Sequence, residues 1–479
     1  MLPKLVVLWS DVVVIATLLM LLAYGWRIRG SVNLRATWMK VLHDRAALCS
    51  AVVLLLFFAV AVVDSLHFRR ALAQVDGAGA NQAQAWSTRT ESLLDVMLER
   101  QVAGRETSYS APLAMRGLTK DSVEVDGQTQ RIYPRLKHGG ENLADDSERL
   151  GDVLRRAGIG LALGVLIAVL AAAALAAALR AKGVGFAAAW RDLLRGHTKL
   201  PLRAVALTVL AICVVFGPLL ALAQHYHVFG TDRTGNDVFY QAMKSIRTAF
   251  VIGTLSTIAT LPLAVGLGIL SGYLRGWVDE VVQYLYTVLS SIPNVLLIAA
   301  CVLMMQVFID THPDMFDTGA ERSDVRLFLL CVILGLTGWA TLCRLLRAET
   351  MKLSQLEYVQ AATAFGVRSL RIMARHIFPN VVHLIIITTV LDFSALILYE
   401  AVLSYVGVGV DPSMNSFGGM INLARTEMSR DPLVWWSFAA AFGFMVTLVL
   451  AANLFADGVR DAFDPRARSQ RPRLRAKAA

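Results

Sequence analysis

Val381-Val-His-Leu-Ile-Ile-Ile-Thr-Thr-Val-Leu-Asp-Phe-Ser-Ala-Leu-Ile-Leu-Tyr-Glu-Ala-Val-Leu-Ser-Tyr-Val-Gly-Val408 is apolar all round, interrupted by His383, Asp392 and Glu400. Bilayer hydrocarbon is about 30 Å thick, so a helix of about 20 largely apolar residues crosses it. This stretch is long enough. In lipid every backbone polar group must be satisfied within its own element, which predicts a helix here.

Eight more such runs lie along the chain, near Leu5 to Tyr24, Ala47 to Val63, Gly158 to Leu179, Ala204 to Ala223, Ala249 to Tyr273, Val281 to Phe308, Leu327 to Leu345 and Val434 to Ala456. A transmembrane barrel would show alternating segments of about ten residues instead. Of the 479 residues 56% are hydrophobic and 17% charged, where soluble chains carry about 25% charge. The expected fold is an all-α polytopic membrane protein with about nine transmembrane helices.

A formal charge of +10 could suggest nucleic acid, but its placement argues for membrane topology. Residues 25–46 carry Arg27, Arg29, Arg35, Lys40 and Arg45 against Asp44, and residues 180–203 carry Arg180, Lys182, Arg191, Arg195, Lys199 and Arg203 against Asp192. Basic short loops stay cytoplasmic. The acidic loop with Asp310, Asp314, Asp317, Glu321 and Asp324 should face outward. With nine spans this puts the amino terminus outside and the carboxyl terminus inside. The first run, followed by Trp26, Arg27 and Arg29 without a small-residue cleavage site, reads as a retained span. Cys49, Cys213, Cys301, Cys331 and Cys343 sit in or beside spans, so no disulfide framework is expected.

Composition divides the chain into two spans with a basic loop (1–63), a polar outer segment (64–157), a third span with a basic linker (158–203), a six-span block (204–465) and a basic tail (466–479). The outer segment has breakers at Gly77, Gly79, Gly127, Gly139 and Gly140 and a strand-like piece at Ser122 to Val125; its length favours some folded structure.

Within the six-span block, the cytoplasmic loop 346–380 reads as two short helices. Tyr358, Ala361, Ala362 and Phe365 fall at i, i+3, i+4 and i+7, on one face. Gly366 follows as a C-terminal cap. Val367 to Phe378 sets Arg368, Arg371 and Arg375 on one side and Leu370, Met373 and Ile377 on another, with Pro379 expected to stop the helix. A plain interfacial helix pair with arginines on lipid phosphates is one reading. A docking element, where Ala361 and Ala362 admit another protein's groove, is the other.

Tyr358-Val-Gln-Ala-Ala-Thr-Ala-Phe-Gly366, followed by His376-Ile-Phe-Pro-Asn380, resembles the EAA loop of ABC importer permeases. Gln360 stands at the motif's glutamate position. Gly230-Thr-Asp-Arg-Thr-Gly-Asn-Asp237 with Arg247 resembles the GTD-x-x-G-R-D segment of the dipeptide, oligopeptide and nickel permeases, with Asn236 where arginine is usual. Glu400-Ala-Val-Leu-Ser-Tyr-Val-Gly-Val-Gly409, Pro412 and Phe417-Gly418, and Asp457-Gly-Val-Arg-Asp-Ala-Phe-Asp-Pro465, are similar to its remaining signature segments. The four occur in the family's order, each on the side of the membrane that loop charge gives it.

The resemblance covers about residues 204–465. It implies a six-helix permease core in the bacterial cytoplasmic membrane and a peptide substrate. It also implies partners: a homologous second permease, cytoplasmic ABC ATPase subunits and an extracytoplasmic binding protein. Tyr358, Gln360, Ala361, Ala362, Phe365, Gly366, Arg368 and Pro379 would form the ATPase-coupling loop. No cofactor is expected in this chain, since ATP and Mg would be bound by the partner ATPase. The three first spans and the outer segment lie beyond that core.

Asp392 and Glu400 are eight residues apart and fall on roughly one helix face. They are candidates for a translocation path; satisfied contacts between helices are the plain alternative. Gly253, Gly266, Gly268 and Gly272 suit close helix packing, and Pro262 and Pro293 suit kinks. The chain contains no Gly-Lys dipeptide, hence no Walker A loop, and its nine histidines form no H-E-x-x-H pairing, so neither catalysis nor a metal site is expected. A proton-coupled carrier using the two acids, an intramembrane enzyme and a structural anchor are the competing classes.

Overall fold

A computed structural model describes residues 4–71, 86–87, 90–125, 128–141, 143, 145–180, 185–316 and 318–464. The tail 466–479 and Gly77, Gly79, Gly127, Lys182, Asp317 and Pro465 lie outside the described residues. In chain order the helices are α1 (Trp9–Gly30), α2 (Val32–His43), α3 (Arg45–Asp64), α4 (Leu93–Met97), α5 (Glu99–Ala103) and α6 (Arg149–Arg180). Next come α7 (Phe186–Arg195), α8 (Leu202–Ala223), α9 (Val238–Leu274), α10 (Gly276–Ser291), α11 (Asn294–Thr311) and α12 (Gly319–Gly338). The last six are α13 (Ala340–Leu353), α14 (Glu357–Ala364), α15 (Ser369–Ile372), α16 (Phe378–Val406), α17 (Phe417–Glu427) and α18 (Trp436–Phe463).

Among the described residues eight helices are long and apolar enough to cross a membrane, and α12 with α13, bent by 41°, makes a ninth. The protein is an all-α, multi-pass membrane protein. Local chemistry sets several ends. Asp44 accepts hydrogen bonds from the Ala46 and Ala47 amides and starts α3, as an N-cap carboxylate does. Gly407, at φ 90°, ends α16.

Two expected spans are redrawn. The third span, α6, begins at Arg149, before the apolar run that marks it, because helix geometry continues beyond the hydrocarbon. The run from Val281 to Phe308 divides into α10 and α11. Proline has no N–H and biases the preceding residue to extended backbone; Ile292 is extended before Pro293, and α11 starts at Asn294. Pro262, by contrast, is accommodated inside α9.

The chain forms two compact units. The first comprises residues 1–7, 42–249 and 412–451. In it α6 packs closely on α8, where small residues permit backbone approach: a Cβ on Gly160 would meet the Gly217 carbonyl oxygen at 2.5 Å. A sheet of β1 (Lys4–Val6), β2 (His67–Arg69) and β3 (Glu91–Ser92) is antiparallel, with Leu5 opposite Phe68 and Phe68 opposite Glu91. β4 (Asp121–Val125) pairs antiparallel with β5 (Gln128–Ile132), so the strand-like piece at Ser122 is a strand.

The second unit comprises residues 8–41, 250–411 and 452–479. Its α9 glycines divide: a Cβ on Gly253 would strike the Phe393 ring, on Gly268 the Cys343 carbonyl and on Gly272 that of Arg347, whereas Gly266 faces open space. Three of the four therefore admit a neighbouring helix; Gly266 does not. The Arg347 guanidinium donates to Asp279 at 2.7 Å, joining α13 to α10. All five cysteines are unpaired thiols.

Candidate functional site

The loop 346–380 builds a small exposed platform on the second unit. In α14, Val359 is buried and Ala362, one turn on, is half-buried against the same apolar cluster with Ile372, Met373 and Ile377. That inner row fixes the outer one. Tyr358, Gln360 and Ala361 are exposed, and Phe365 is 87% exposed at the helix end. The expected single face is thus corrected at one position, since Ala362 turns inward while Tyr358, Ala361 and Phe365 turn out. A step of four residues overshoots one turn by about 40°, enough to take Ala362 into the cluster.

Gly366 adopts φ 74° with its amide on the Thr363 carbonyl, and Val367 N–H reaches back to the Ala362 carbonyl at 3.1 Å. This is the left-handed helix end that glycine permits without a Cβ penalty. Arg368, Arg371 and Arg375 are exposed; Leu370, expected with Met373 and Ile377 on an apolar side, is 74% exposed while those two are buried.

Pro379 does not stop the chain. A π-helical turn over Met373–Ile377 leads into α16, where Pro379 occupies the first turn. There its missing N–H forfeits least, and the π turn rearranges the backbone bonding that a proline would break. Asn380 ties the two pieces together by donating to the Tyr358 hydroxyl at 3.1 Å and to the His376 carbonyl at 2.6 Å.

The same unit contains a cavity of about 260 Å³ lined by Thr257, Asn294, Thr341, Thr389, Asp392 and Tyr399, among others. Glu400 is not in its lining. It is 2% exposed and accepts a 2.6 Å hydrogen bond from Ser404. The two acids therefore do not share a face: eight residues advance the helix about 80° beyond two full turns, which sends Asp392 to the cavity and Glu400 into packing.

On the first unit, segment 64–157 binds the turn 227–237. Glu106 N–H donates to the Gly235 carbonyl, Thr231 Oγ1 accepts from the Ser110 amide, and Arg105 donates to the Thr234 carbonyl. His227 is buried between carboxylates, its Nδ1 at 2.7 Å from Asp237 and its Nε2 at 3.6 Å from Glu106. Burial works to lower the His227 pKa, but hydrogen bonding to Asp237 and the Glu106 carboxylate outweigh it and hold it at about 9. Burial likewise works to raise Glu106, yet His227 and the His138 and Lys137 amides hold it below the usual carboxylate range. Nearby, Lys244 Nζ meets Asp64 at 2.7 Å and Asp95 at 2.9 Å.

The family described as binding-protein-dependent transport system inner membrane component matches residues 264–469. The oligopeptide transport system permease protein OppC of Mycobacterium tuberculosis is 30% identical over 260 residues, 54% of this chain and 83% of the relative. The chain belongs to that permease family. The glutathione transport system permease protein GsiD of Pectobacterium atrosepticum is 29% identical over 294 residues, covering 58% of this chain and 91% of its own. OppC of Bacillus subtilis is 26% identical over 296 residues, covering 58% and 90%. The chain is accordingly a permease component of an ABC importer, and its homologues are transport permeases rather than enzymes.

Loop 346–380, Asp392 and Glu400 all lie inside the matched part of this permease, and Glu106, Asp64 and Asp95 lie before it. Sequence reading missed the last three as partners of His227 and Lys244. Only separations of more than a hundred residues bring them together, and no short spacing signals it. Thr389 was also missed, since one threonine among many in an apolar run carries no pattern.

Proposed function

We propose that this permease carries peptides into the bacterial cytoplasm, driven by ATP hydrolysed on separate ABC ATPase subunits. An extracytoplasmic binding protein delivers the peptide to this chain and a homologous second permease. The nucleotide-binding subunits then swing the helices between outward-open and inward-open states. ATP and Mg belong to the partner ATPase. In this reading the amino terminus lies outside, the carboxyl terminus inside, and the chain resides in the inner membrane.

The observation that carries the reading is the exposed outer row of α14, Tyr358, Ala361 and Phe365, set on a buried inner row. A short helix anchored on one side and offering small and aromatic groups on the other suits a cleft in a second protein. Gly366 and Arg368 complete the platform, and Pro379 starts the helix that would transmit its movement. A ligand shifts a two-state equilibrium only by its differential affinity for the states, and this platform is where ATP's preference would reach the spans. The peptide substrate is supported by the names of the OppC and GsiD relatives, glutathione itself being a tripeptide. Asp392 would line the path; Glu400 would support it from within the packing.

Uptake of labelled trialanine into cells tests the whole reading. Uptake should vanish when the separately encoded ATPase subunit is deleted, and should persist when the proton gradient is collapsed with ATP maintained. Uptake that follows the proton gradient and ignores the ATPase would instead identify a secondary carrier.

A further inference from the structure

Asp392, an exposed side chain part-way along α16, contrasts with the partnered acids of this unit. Asp279 is paired with Arg347, Asp411 with Arg326 and Glu400 with Ser404, whereas among the described residues no hydrogen bond or ion pair reaches the Asp392 carboxylate. No cationic side chain lines its cavity either. An ionised carboxylate at membrane depth is costly and marks function by default.

A second group in the same wall is unsatisfied. The Thr389 hydroxyl is shielded from solvent without a hydrogen-bond partner, while its neighbour Thr388 returns its own to the Leu384 carbonyl at 2.9 Å. Thr389 and Asp392 are three residues apart on α16, hence neighbours on the helix surface. Asn294 of α11 adds a neutral amide, which can accept through its oxygen. The wall thus offers a carboxylate and neutral acceptors with no cation to complete them. At about 260 Å³ the cavity falls below the roughly 300 to 1,000 Å³ of pockets that enclose a whole small ligand, so it suits one end of a longer one.

We propose that Asp392, with Thr389 beside it, receives the α-ammonium end of the transported peptide. An ammonium has three donors and no acceptor, which is the complement of this wall. The inference rests on the peptide reading above.

The test uses the purified importer with its partner subunits, the five native cysteines replaced and Thr341→Cys introduced as a reporter in the cavity wall. Trialanine should slow labelling of that cysteine by N-ethylmaleimide. Asp392→Asn should raise the half-protecting concentration about tenfold or more, the scale of one charged hydrogen bond, and Asp392→Glu should recover part of it. N-acetyl-trialanine, lacking the ammonium, should protect weakly and be indifferent to Asp392→Asn. Equal protection by both peptides, or protection by neither, would overturn the assignment. Loss of the partner permease from Asp392→Asn would also overturn it, by showing that a cation of that subunit satisfies the acid. ATPase-dependent uptake of trialanine, measured in parallel, keeps the peptide reading standing when this inference fails, and its absence sinks that reading itself.

Discussion

Raising the pH should loosen the join between segment 64–157 and the turn 227–237, because His227 holds two buried carboxylates together only while protonated. Its pKa is about 9 in the fold against 6.5 for an unperturbed histidine. A folded value above the unfolded one contributes stability that is complete below the unfolded value and is lost as pH rises through the folded one. The window therefore runs from about 6.5 to about 9. With about 1.4 kcal/mol for each pH unit between the two values, the ceiling is about 3 kcal/mol, of which about 2 kcal/mol disappears between roughly pH 7 and 9.5. Glu106, held low, works in the opposite direction: its share is present above its ordinary value and is lost as pH falls through the lowered one.

Local opening is the appropriate readout, since a multi-span protein has no single unfolding free energy. The His138 and Lys137 amides donate to Glu106, and the Glu106 amide donates to Gly235. Their hydrogen-exchange protection, corrected for the intrinsic pH dependence of exchange, should fall about thirtyfold across that range. His227→Gln can still hydrogen-bond but carries no charge, so its protection should be lower at neutral pH and flat with pH. A profile in His227→Gln that parallels the wild type would refute the role assigned to this proton.

Ala361→Glu should leave permease levels in the membrane normal but abolish uptake and reduce recovery of the ATPase subunit, because bulk in a filled cleft costs about 1 to 3 kcal/mol. Ala362→Glu should damage the loop itself, exposing it to protease, since that side chain faces the apolar cluster; the same docking defect without proteolysis in both variants would contradict the two-row assignment. Lys244→Met strands Asp64 and Asp95 and should destabilise segment 64–157 locally by about 3 to 5 kcal/mol, seen as faster hydrogen exchange at the Ser92 and Asp95 amides; adding Asp64→Asn and Asp95→Asn should restore most of it, and no restoration would count against a charge-based join. In a cysteine-free background an impermeant maleimide should label Lys120→Cys but not Asn33→Cys in intact cells; the reverse pattern would invert the topology.

The spans were legible because a run of apolar residues long enough for lipid leaves the backbone few alternatives, and the two short helices of loop 346–380 because the turn between them needs glycine at Gly366. What was hidden depended on tertiary partners. Ala362 and Ala361 are chemically identical in sequence, and only Val359 and the cluster behind it decide which one points inward. Asp392 and Glu400 look like a pair until helix rotation is followed over two turns. Pro379 looks like a stop because proline usually is one, but a preceding π turn changes what the backbone can tolerate. Leu370 follows an apolar spacing and still ends up exposed, beside the arginines of the platform.

Segment 64–157 is harder to treat as a passive insertion once its contacts are followed. Gly230 and Gly235 sit at φ 67° and 78°, so the turn they make favours glycine on conformational grounds alone. Each also has a second reason to lack a side chain. A Cβ on Gly230 would collide with the Ser110 carbonyl oxygen and one on Gly235 with that of Glu106. The backbone of the added segment thus runs against the turn where only hydrogen atoms leave room. Thr231 then bonds the same stretch through its hydroxyl, and its carbonyl accepts from the Trp436 indole at 3.0 Å. A segment merely tethered to the permease would leave these groups to water. Here the Thr231 hydroxyl and the Thr234 and Gly235 carbonyls are consumed by residues 105–110, so the segment forms part of this unit's own packing, and its removal would unmake polar contacts inside the unit.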